Sequence, residues 1–433
     1  MPRVLHVVHG HPAQGAGGGT ERYVRAIAAG AGAPVLTRDR RADAPPGLQR
    51  TDLGDHALWS FRAPARSGFE ASWRCPEAEA ALVDVVRQER AEVVHVHHLA
   101  HLDLGLPRTA RELGAAVVLT LHDYHLACAR GQLVDRDLKR CAGPAPERCA
   151  RCLAEHLRAS GPLARLAPLV RRVGLESAGR RALAGPAPRP RDVARSEARA
   201  AAARQALAAA HRVLAPSRSL AERFGELGLC RSVVVQDLPL VSPIPPAPAP
   251  PPGPVRFLFV GSLIPTKGPG VLVEAFALLR SMDTASSPTL TLYGPRPAYD
   301  GRDDFHEALL RRLTEVGGAR WAGLFGDEAR AQVYAEADVL VVPSTWEENS
   351  PLVVREAVAA GLRVVASDVG GVAEVDPDAR RVPPGDPRAL AEALRAEVDR
   401  GRGRRPTRPW PLAPHLSALE IHYLAAMTAR GDR

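Results

Sequence analysis

The chain has 433 residues, of which 45% are hydrophobic and 24% charged, and its formal net charge at pH 7 is +9. This globular composition excludes global disorder, the length predicts two or three domains, and no apolar run is long enough to predict a transmembrane helix. Aromatic residues are only 4%, too few for base stacking, so the basic excess favours an anionic small molecule over nucleic acid.

In the N-terminal half, short apolar runs alternate with segments of helical composition. We predict strands at residues 4–9, 93–97, 117–121 and 213–216. A glycine-rich loop at residues 15–19 follows the first strand, and a helix is predicted from Thr20, with Glu21 in its first turn. Residues 155–212 are rich in Ala, Leu and Arg and are predicted to form a helical insert. This alternation of strands and helices favours a parallel sheet.

A proline-rich segment divides the chain. Nine of the sixteen residues at 239–254 are proline, and proline fixes φ and removes backbone donors, so an extended linker is predicted there. The C-terminal half repeats the alternation, with strands predicted at residues 257–260, 289–293, 338–342 and 363–366. The predicted domains are therefore 1–238 and 255–405. A tail, 406–433, follows, and its final helix is expected to pack back on the N-terminal domain.

The strongest sign of a functional site lies at residues 338–361. A predicted strand leads into a loop that carries Glu348, and Glu356 follows in the next helix. Ligands of open α/β sheets bind beyond the carboxyl ends of strands, where the N-terminus of a helix favours phosphate. Carboxylates beside such an anion site favour hydrogen bonds to sugar hydroxyls that flank a diphosphate. The alternative is two solvated glutamates on an amphipathic element.

Three glycine-bearing loops also follow predicted strands. Gly261 and Ser262 precede Lys267, which is placed to contact a phosphate as a point charge. The loop GAGGGTER at 15–22 lacks the G-x-G-x-x-G spacing of a dinucleotide site, so a plain connecting loop is an alternative to ligand contact. The glycines of DVGGVAEV at 368–375 allow close backbone approach, and its glutamate is interpreted as a first-turn helix residue.

Four of the six cysteines lie close together in the sequence. Cys128, Cys141, Cys149 and Cys152 follow the spacing C-x12-C-x7-C-x2-C. Four thiolates that include one C-x-x-C pair suit a tetrahedral structural zinc site. The alternative is four reduced cysteines in a long loop, and the spacing alone leaves both interpretations open.

Two other groups of potential metal ligands have a simpler interpretation. His95, His97, His98 and His101 are close in sequence, but strand alternation separates His97 from His98, so an ordinary strand end is favoured over a metal site. The D-x-D strings at 135–137 and 376–378 are interpreted as surface turns.

Nearly the whole chain resembles glycosyltransferase family 4. The resemblance rests on an ordered set of motifs: GGTER, LHDY, APSRSLAERF, VGSLIPTKG, LYGP, ADVLVVPS, the E-x7-E pair of Glu348 and Glu356, ASDVGGVAEV and VPPGDPRALAEAL. It implies an α/β fold of the GT-B type, with two Rossmann-like domains whose parallel sheets face an inter-domain cleft. The C-terminal domain would then bind a nucleotide-sugar donor.

The resemblance also implies roles for individual residues. Lys267 would stabilise the leaving diphosphate, Glu348 would bind hydroxyls of the transferred sugar, and Glu356 would bind the ribose. His122 matches the family histidine beside the transferred sugar. The other implied donor-binding positions are Gly18, Gly19, Gly261, Ser262, Asn349, Ser350 and Leu352. Ser262 stands where many members have arginine, which removes one cationic contact to the diphosphate.

The implied activity is that of a retaining hexosyltransferase. It would move sugar from a UDP- or GDP-sugar to a glycan, lipid-linked or small-molecule acceptor, in bacterial surface polysaccharide or glycoconjugate synthesis. A nucleotide-sugar epimerase or a phosphorylase on the same fold, and a catalytically silent binding protein, are the alternatives. We expect no cofactor for catalysis, a structural zinc at most, and no nucleic acid partner. Because the N-terminus lacks the features of a secretory signal, we expect a cytoplasmic protein, with peripheral contact to the anionic inner membrane leaflet as a further expectation.

Overall fold

The structure is a computed structural model that describes residues 2–64, 66, 68–153, 188–282, 286–299 and 304–431. It divides into two units. Unit 1 comprises Met1–Pro216, Ala221–Gln236 and Leu412–Arg433, and unit 2 comprises Ser217–Leu220 and Asp237–Pro411. The part of the predicted helical insert between residues 154 and 187 lies outside the described residues.

Unit 1 is built on an eight-stranded sheet. Its strands are β1 (Val4–Val7), β2 (Val35–Arg38), β3 (Leu48–Asp52), β4 (Ala57–Phe61), β5 (Val93–Val96), β6 (Ala116–Thr120), β7 (Arg212–Ala215) and β8 (Val233–Val235). They lie in the order β3-β4-β2-β1-β5-β6-β7-β8, and all neighbours are parallel except β3 and β4. The sequence did not predict the antiparallel edge strand, because β3 (LQRTD) is polar and largely exposed.

Unit 2 contains a six-stranded, fully parallel sheet. Its strands are β9 (Arg256–Val260), β10 (Thr289–Tyr293), β11 (Ala319–Trp321), β12 (Val339–Val342), β13 (Arg363–Ser367) and β14 (Arg380–Val382), in the order β11-β10-β9-β12-β13-β14. Successive side chains of β9 enter different apolar clusters: Phe257 and Phe259 lie in one, and Leu258 lies in the other. Burial on both faces explains why the central strands are continuous apolar runs. The predicted α/β fold with two sheets is confirmed.

Helices connect the strands in both units. In the described residues they are α1 (Gly19–Ala31), α2 (Pro76–Gln88), α3 (Leu106–Glu112), α4 (Pro146–Cys152), α5 (Pro190–Ala209), α6 (Arg218–Glu226), α7 (Pro269–Ser281), α8 (Asp304–Val316), α9 (Arg330–Ala335), α10 (Leu352–Ala359), α11 (Val372–Val375), α12 (Pro387–Arg400) and α13 (Leu412–Gly431). In this part of the chain no helix has both the length and the apolar character needed to cross a bilayer.

The C-terminal helix α13 packs on α1, β6 and β7 of unit 1. It brings polar side chains into this unit: His415 Nε2 lies 2.8 Å from the Tyr23 hydroxyl, and the Tyr423 hydroxyl lies 2.9 Å from His95 Nδ1. These bonds join residues more than 300 positions apart, and buried polar groups are costly unless they are paired. The bonds therefore fix where the helix lies on unit 1.

The proline-rich segment belongs to unit 2 and makes backbone hydrogen bonds within it. The backbone N–H of Leu240 donates to the Trp410 carbonyl at 2.8 Å, and that of Ala247 donates to the Ala360 carbonyl at 3.1 Å. The unit boundary therefore lies at residues 236 and 237, before the prolines. Their missing N–H groups did not prevent packing, because the residues between them supply donors.

Candidate functional site

Lys267 and Glu348 meet beyond the carboxyl ends of β9 and β12. The Lys267 Nζ lies 2.7 Å from Glu348 Oε1, and the same oxygen accepts hydrogen bonds from Ser344 Oγ at 2.6 Å and Trp346 Nε1 at 3.0 Å. The ammonium group also lies 4.8 Å from the centre of the Trp346 ring, within the range of a cation–π interaction. Glu348 is buried and Lys267 is partly exposed. Glu348 therefore holds the ammonium group of Lys267 at a position that a ligand can reach.

Two glycines allow the loops that carry this pair to pack closely. Gly268 has a φ of 73°, and a side chain there would collide with the Pro343 carbonyl oxygen. Gly370 has a φ of 51°, and a side chain there would collide with the carbonyl oxygen of Glu348. Only glycine adopts this backbone conformation without strain. The close approach predicted for Gly370 is therefore made to the backbone of Glu348.

Glu356 lies inside α10 and is fully buried. Its carboxylate accepts a hydrogen bond from the Tyr334 hydroxyl at 2.5 Å and one from Arg330 Nη1 at 3.2 Å. Both partners belong to α9, and sequence reasoning missed them because nothing in the spacing of α9 and α10 indicates a contact. The contact of Glu356 with a ribose stays a prediction.

The remaining predicted donor positions in unit 2 lie at the same edge of the sheet. The Gly261 N–H donates to the Tyr293 carbonyl at 3.0 Å, and the Ser262 carbonyl accepts from the Ile264 N–H at 2.8 Å. Asn349 is buried, and Leu352 is the first residue of α10. Pro351 occupies the capping position of that helix. The hydroxyl of the preceding Ser350 accepts a hydrogen bond from Arg355 Nη2 at 2.6 Å, which anchors the loop.

In unit 1, the predicted glycine loop leads directly into α1. Gly18 is the residue before the helix, and Gly19 is its first residue. The Glu21 carboxylate lies so close to Gly18 that a side chain at Gly18 would collide with it. The Oε1 atom of Glu21 also lies 3.1 Å from His9 Nε2. A carboxylate at the N-terminus of a helix is stabilised by the helix dipole. The N-terminus of α1 therefore already has a carboxylate of the protein, that of Glu21, in its first turn.

His122 and Asp123 follow β6 and face the residues that follow β5. His122 Nε2 lies 3.2 Å from His97 Nδ1, and Asp123 Oδ2 lies 3.0 Å from His98 Nε2. Burial, with the neighbouring charge of His98, lowers the pKa of His122 to about 3. Burial alone would lower the pKa of His98 too, but the Asp123 charge and hydrogen bond raise it above the usual value. The site thus contains a neutral imidazole beside an ion pair.

Three other histidines lie close enough together to be considered as metal ligands. The donor atoms of His6, His95 and His97 all lie within 4.8 Å of one another, and this is the one such set in the described part of the chain. His95 already uses both ring nitrogens, at 2.7 Å from Thr120 Oγ1 and 2.9 Å from the Tyr423 hydroxyl. His95 therefore belongs to a hydrogen-bonded core, and the interpretation of the histidines as an ordinary strand end stays a prediction.

The four clustered cysteines are all reduced. Cys149 and Cys152 lie one turn apart on α4, and burial raises the pKa of the Cys152 thiol to about 12, with Cys128 and Cys149 adding to the increase. Cys141 likewise acts on Cys149. The thiols are thus neighbours and chemically fit zinc, but no three of these sulfur atoms lie within 4.8 Å of one another among the described residues. The zinc site stays a prediction.

The two D-x-D strings differ in burial and in their contacts. Asp135 Oδ1 accepts hydrogen bonds from the backbone N–H groups of Asp137 and Lys139, both at 2.9 Å, as expected for a turn. Asp376 is buried and pairs with Arg405 at 2.7 Å, so the interpretation as a surface turn was wrong at that position.

Part of unit 2 matches a known protein family. Residues 254–399 match the protein family described as "Glycosyl transferases group 1". Curated proteins named D-inositol 3-phosphate glycosyltransferase are similar to the chain: that of Rhodococcus opacus is 37% identical over 118 residues, 26% of each chain, and that of Jonesia denitrificans is 39% identical over 122 residues, 27% of each chain. The chain thus matches about a quarter of the length of these curated relatives.

Solved structures resemble the whole chain. Sucrose-phosphate synthase from Thermosynechococcus elongatus has a TM-score of 0.64 at 18% identity, with 99% of this chain and 100% of that chain covered. The Anabaena protein Alr3699/HepE in complex with UDP-glucose has a TM-score of 0.54 at 15% identity, with 99% and 97% covered. The chain therefore has the GT-B fold, and its residues 254–399 match the group 1 glycosyltransferases.

Proposed function

We propose that the protein is a retaining glycosyltransferase that moves a hexose from a nucleotide-sugar donor to an acceptor hydroxyl. The observation that carries the proposal is the contact between Lys267 and Glu348, which lies within the segment that matches group 1 glycosyltransferases. The cation and the carboxylate lie beyond the carboxyl ends of parallel strands, where ligands of α/β sheets bind.

The contacts suggest different roles for Lys267 and Glu348. The hydrogen bonds from Lys267, Ser344 and Trp346 all go to Oε1 of Glu348, and Oε2 would accept hydrogen bonds from hydroxyls of the transferred sugar. The donor diphosphate would share Lys267 with Glu348, since an ammonium group offers three donors. A held cation at this position stabilises negative charge as it develops on the leaving group.

The reaction requires no nucleophile from the protein. The bond between the anomeric carbon and the diphosphate oxygen breaks, and its electron pair leaves with the nucleoside diphosphate. A bond from the acceptor oxygen to the anomeric carbon forms on the same face, and the acceptor proton passes to the departing phosphate. Lys267 stabilises that phosphate, while Glu348 holds the sugar in place.

Names of similar proteins indicate which compounds to test first. Several matched relatives are named for D-inositol 3-phosphate, and solved neighbours bind UDP-glucose or UDP-2-fluoro glucose. We therefore propose a UDP-sugar as the first donor, and a phosphorylated polyol as the first acceptor alongside glycan and lipid-linked acceptors.

A donor panel tests the proposal. Melting temperature is measured with UDP-, GDP- and dTDP-sugars, because a ligand that binds only the folded state raises its stability. Turnover of the stabilising donor is then followed with and without acceptors. Acceptor-dependent transfer with retained anomeric configuration supports the proposal. Donor conversion without an acceptor would instead indicate an epimerase, phosphate-dependent cleavage a phosphorylase, and binding without turnover a silent binding protein.

A further inference from the structure

Two consecutive residues after β5 contact two consecutive residues after β6: His97 pairs with His122 and His98 pairs with Asp123. Nothing in the sequence motifs assigns a role to His97 or His98. We propose that these two histidines are positioning residues that hold His122 as a neutral imidazole in one orientation. The inference rests on the proposed function and on the family resemblance, which implies that His122 lies beside the transferred sugar.

His97 is the middle member of a chain of three rings. Its Nε2 lies 3.0 Å from His6 Nδ1, and its Nδ1 lies 3.2 Å from His122 Nε2. Burial holds the pKa of His97 well below its usual value, so the ring is neutral and carries one N–H. It must therefore donate one of these hydrogen bonds and accept the other. The proton position on His97 thus determines which nitrogen of His122 carries its proton.

Burial is the main reason that the pKa of His122 is low, and the charge of His98, which pairs with Asp123, lowers it further. The groups that act on the His122 ring are His9 and Glu21 from the β1–α1 region, Tyr23 on α1, the pair His97 and His98 after β5, and Asp123 beside it. His98 lowers the pKa of His122, whereas Asp123 and Glu21 raise it. Removal of the His98 charge would therefore raise the pKa of His122, while burial and His9 would continue to favour the neutral ring.

The two contacts therefore act in different ways. His97 is 2% exposed and His122 is partly exposed, so a buried ring fixes the orientation of a ring that a ligand can reach. His98, by contrast, acts through charge. Loss of the contact between His97 and His122 should affect the orientation of the His122 ring at all pH values. Loss of His98 should alter how the protonation of His122 depends on pH.

Nuclear magnetic resonance of protein labelled with nitrogen-15 at histidine tests both effects without any substrate. In the wild-type protein, His122 should remain neutral, with a single tautomer, from about pH 5 to about pH 8. In His97→Leu the ring should lose its fixed tautomer, and in His98→Asn the pKa of His122 should be higher than in the wild-type protein. A wild-type His122 that titrates near the usual histidine pKa would overturn the proposal.

Kinetics provide the second measurement. His97→Leu should lower kcat about tenfold or more with donor KM nearly unchanged, and His97→Gln should restore part of it. In His98→Asn, the loss of activity on the acid side should begin at higher pH. The control is His422→Gln, because His422 is a buried histidine bonded to Gln236 and Arg212.

The two proposals fail in distinguishable ways. If wild-type protein transfers no sugar but the His122 resonances behave as described, the proposed function fails and the positioning role stands. If His122→Asn abolishes transfer while His97→Leu and His98→Asn match His422→Gln in rate and pH profile, the positioning proposal fails.

Discussion

The Nζ atom of Lys267 lies 2.7 Å from Oε1 of Glu348, so two residues that the sequence assigned to different parts of a donor form one ion pair. The choice of lysine is specific in this chain. Only Lys139 and Lys267 are lysines, and every other basic side chain of the 57 is arginine. A lysine is a compact point charge, whereas arginine presents a wide planar fork. The site therefore uses the smaller cation.

Replacement of Lys267 should remove catalysis and keep the fold. We expect Lys267→Ala to lower kcat/KM by about 100-fold or more, which is the usual effect of losing a group that stabilises leaving-group charge. Glu348 would still be held by Ser344 and Trp346, so the melting temperature should change little. Lys267→Arg should recover part of the activity. The control is Lys139→Ala in an exposed turn, and equal rates for Lys139→Ala and Lys267→Ala would contradict the site.

Replacement of Glu356 should affect stability as well as binding. Because Glu356 is fully buried beside Arg330, Glu356→Ala leaves a buried cation without this partner, and loss of a buried pair costs about 3–5 kcal/mol. Asp327 also holds Arg330, so we expect the lower end of this range. Urea unfolding measures the change. A variant as stable as wild type would show that the pair adds nothing to folding, and donor binding is better tested with Glu356→Gln.

A buried aspartate should stabilise unit 2 far more than an exposed one. Asp338 is fully buried and accepts hydrogen bonds from the Arg256 N–H at 2.9 Å and Arg402 Nε at 3.0 Å. We expect Asp338→Asn to lower the free energy of unfolding by about 3–5 kcal/mol. Asp368→Asn, which breaks an exposed pair with Arg381, should cost about 0–1 kcal/mol. Similar losses in urea unfolding of the two variants would refute this comparison.

Metal analysis decides between the two interpretations of the cysteines. If the four thiols bind zinc, protein produced with zinc should contain about one zinc ion per chain, and chelation should lower its melting temperature. Cys149→Ser should lose the metal, whereas Cys230→Ser, outside the cluster, should retain it. Zinc-free wild-type protein, or full zinc content in Cys149→Ser, would establish that the cysteines are simply reduced.

The parts of the fold that local patterns determine were predictable from the sequence. Four of the six strands of the second sheet, β9, β10, β12 and β13, were predicted to within one residue at either end, and β9 and β12 are the apolar runs expected of central strands. The edge strands β11 and β14 were not predicted, because each is only three residues long. The pair Lys267 and Glu348 was predictable as a shared site, because both follow strands whose carboxyl ends lie at one edge of the sheet.

Contacts between distant segments were not predictable. Arg402 pairs with Asp338 and Arg405 with Asp376, although the basic run at 400–405 resembles a solvated surface. Tyr423 similarly reaches His95 from the end of the chain. Such contacts depend on tertiary packing, which the residue types and spacing within a single segment do not determine. For the same reason, the contact of His97 with His122 was not predicted.

Chemical labelling of the two lysines tests the central claim most directly. The protein is treated with a lysine-acylating reagent, and the modification rates of Lys267 and Lys139 are measured by mass spectrometry with and without a saturating nucleotide sugar. Because both lysines belong to one molecule, Lys139 is an internal reference. We predict that the donor slows modification of Lys267 about tenfold or more, as expected for a group that binds its diphosphate, and leaves Lys139 unchanged. An unchanged rate at Lys267, with donor binding shown by calorimetry, would contradict the account.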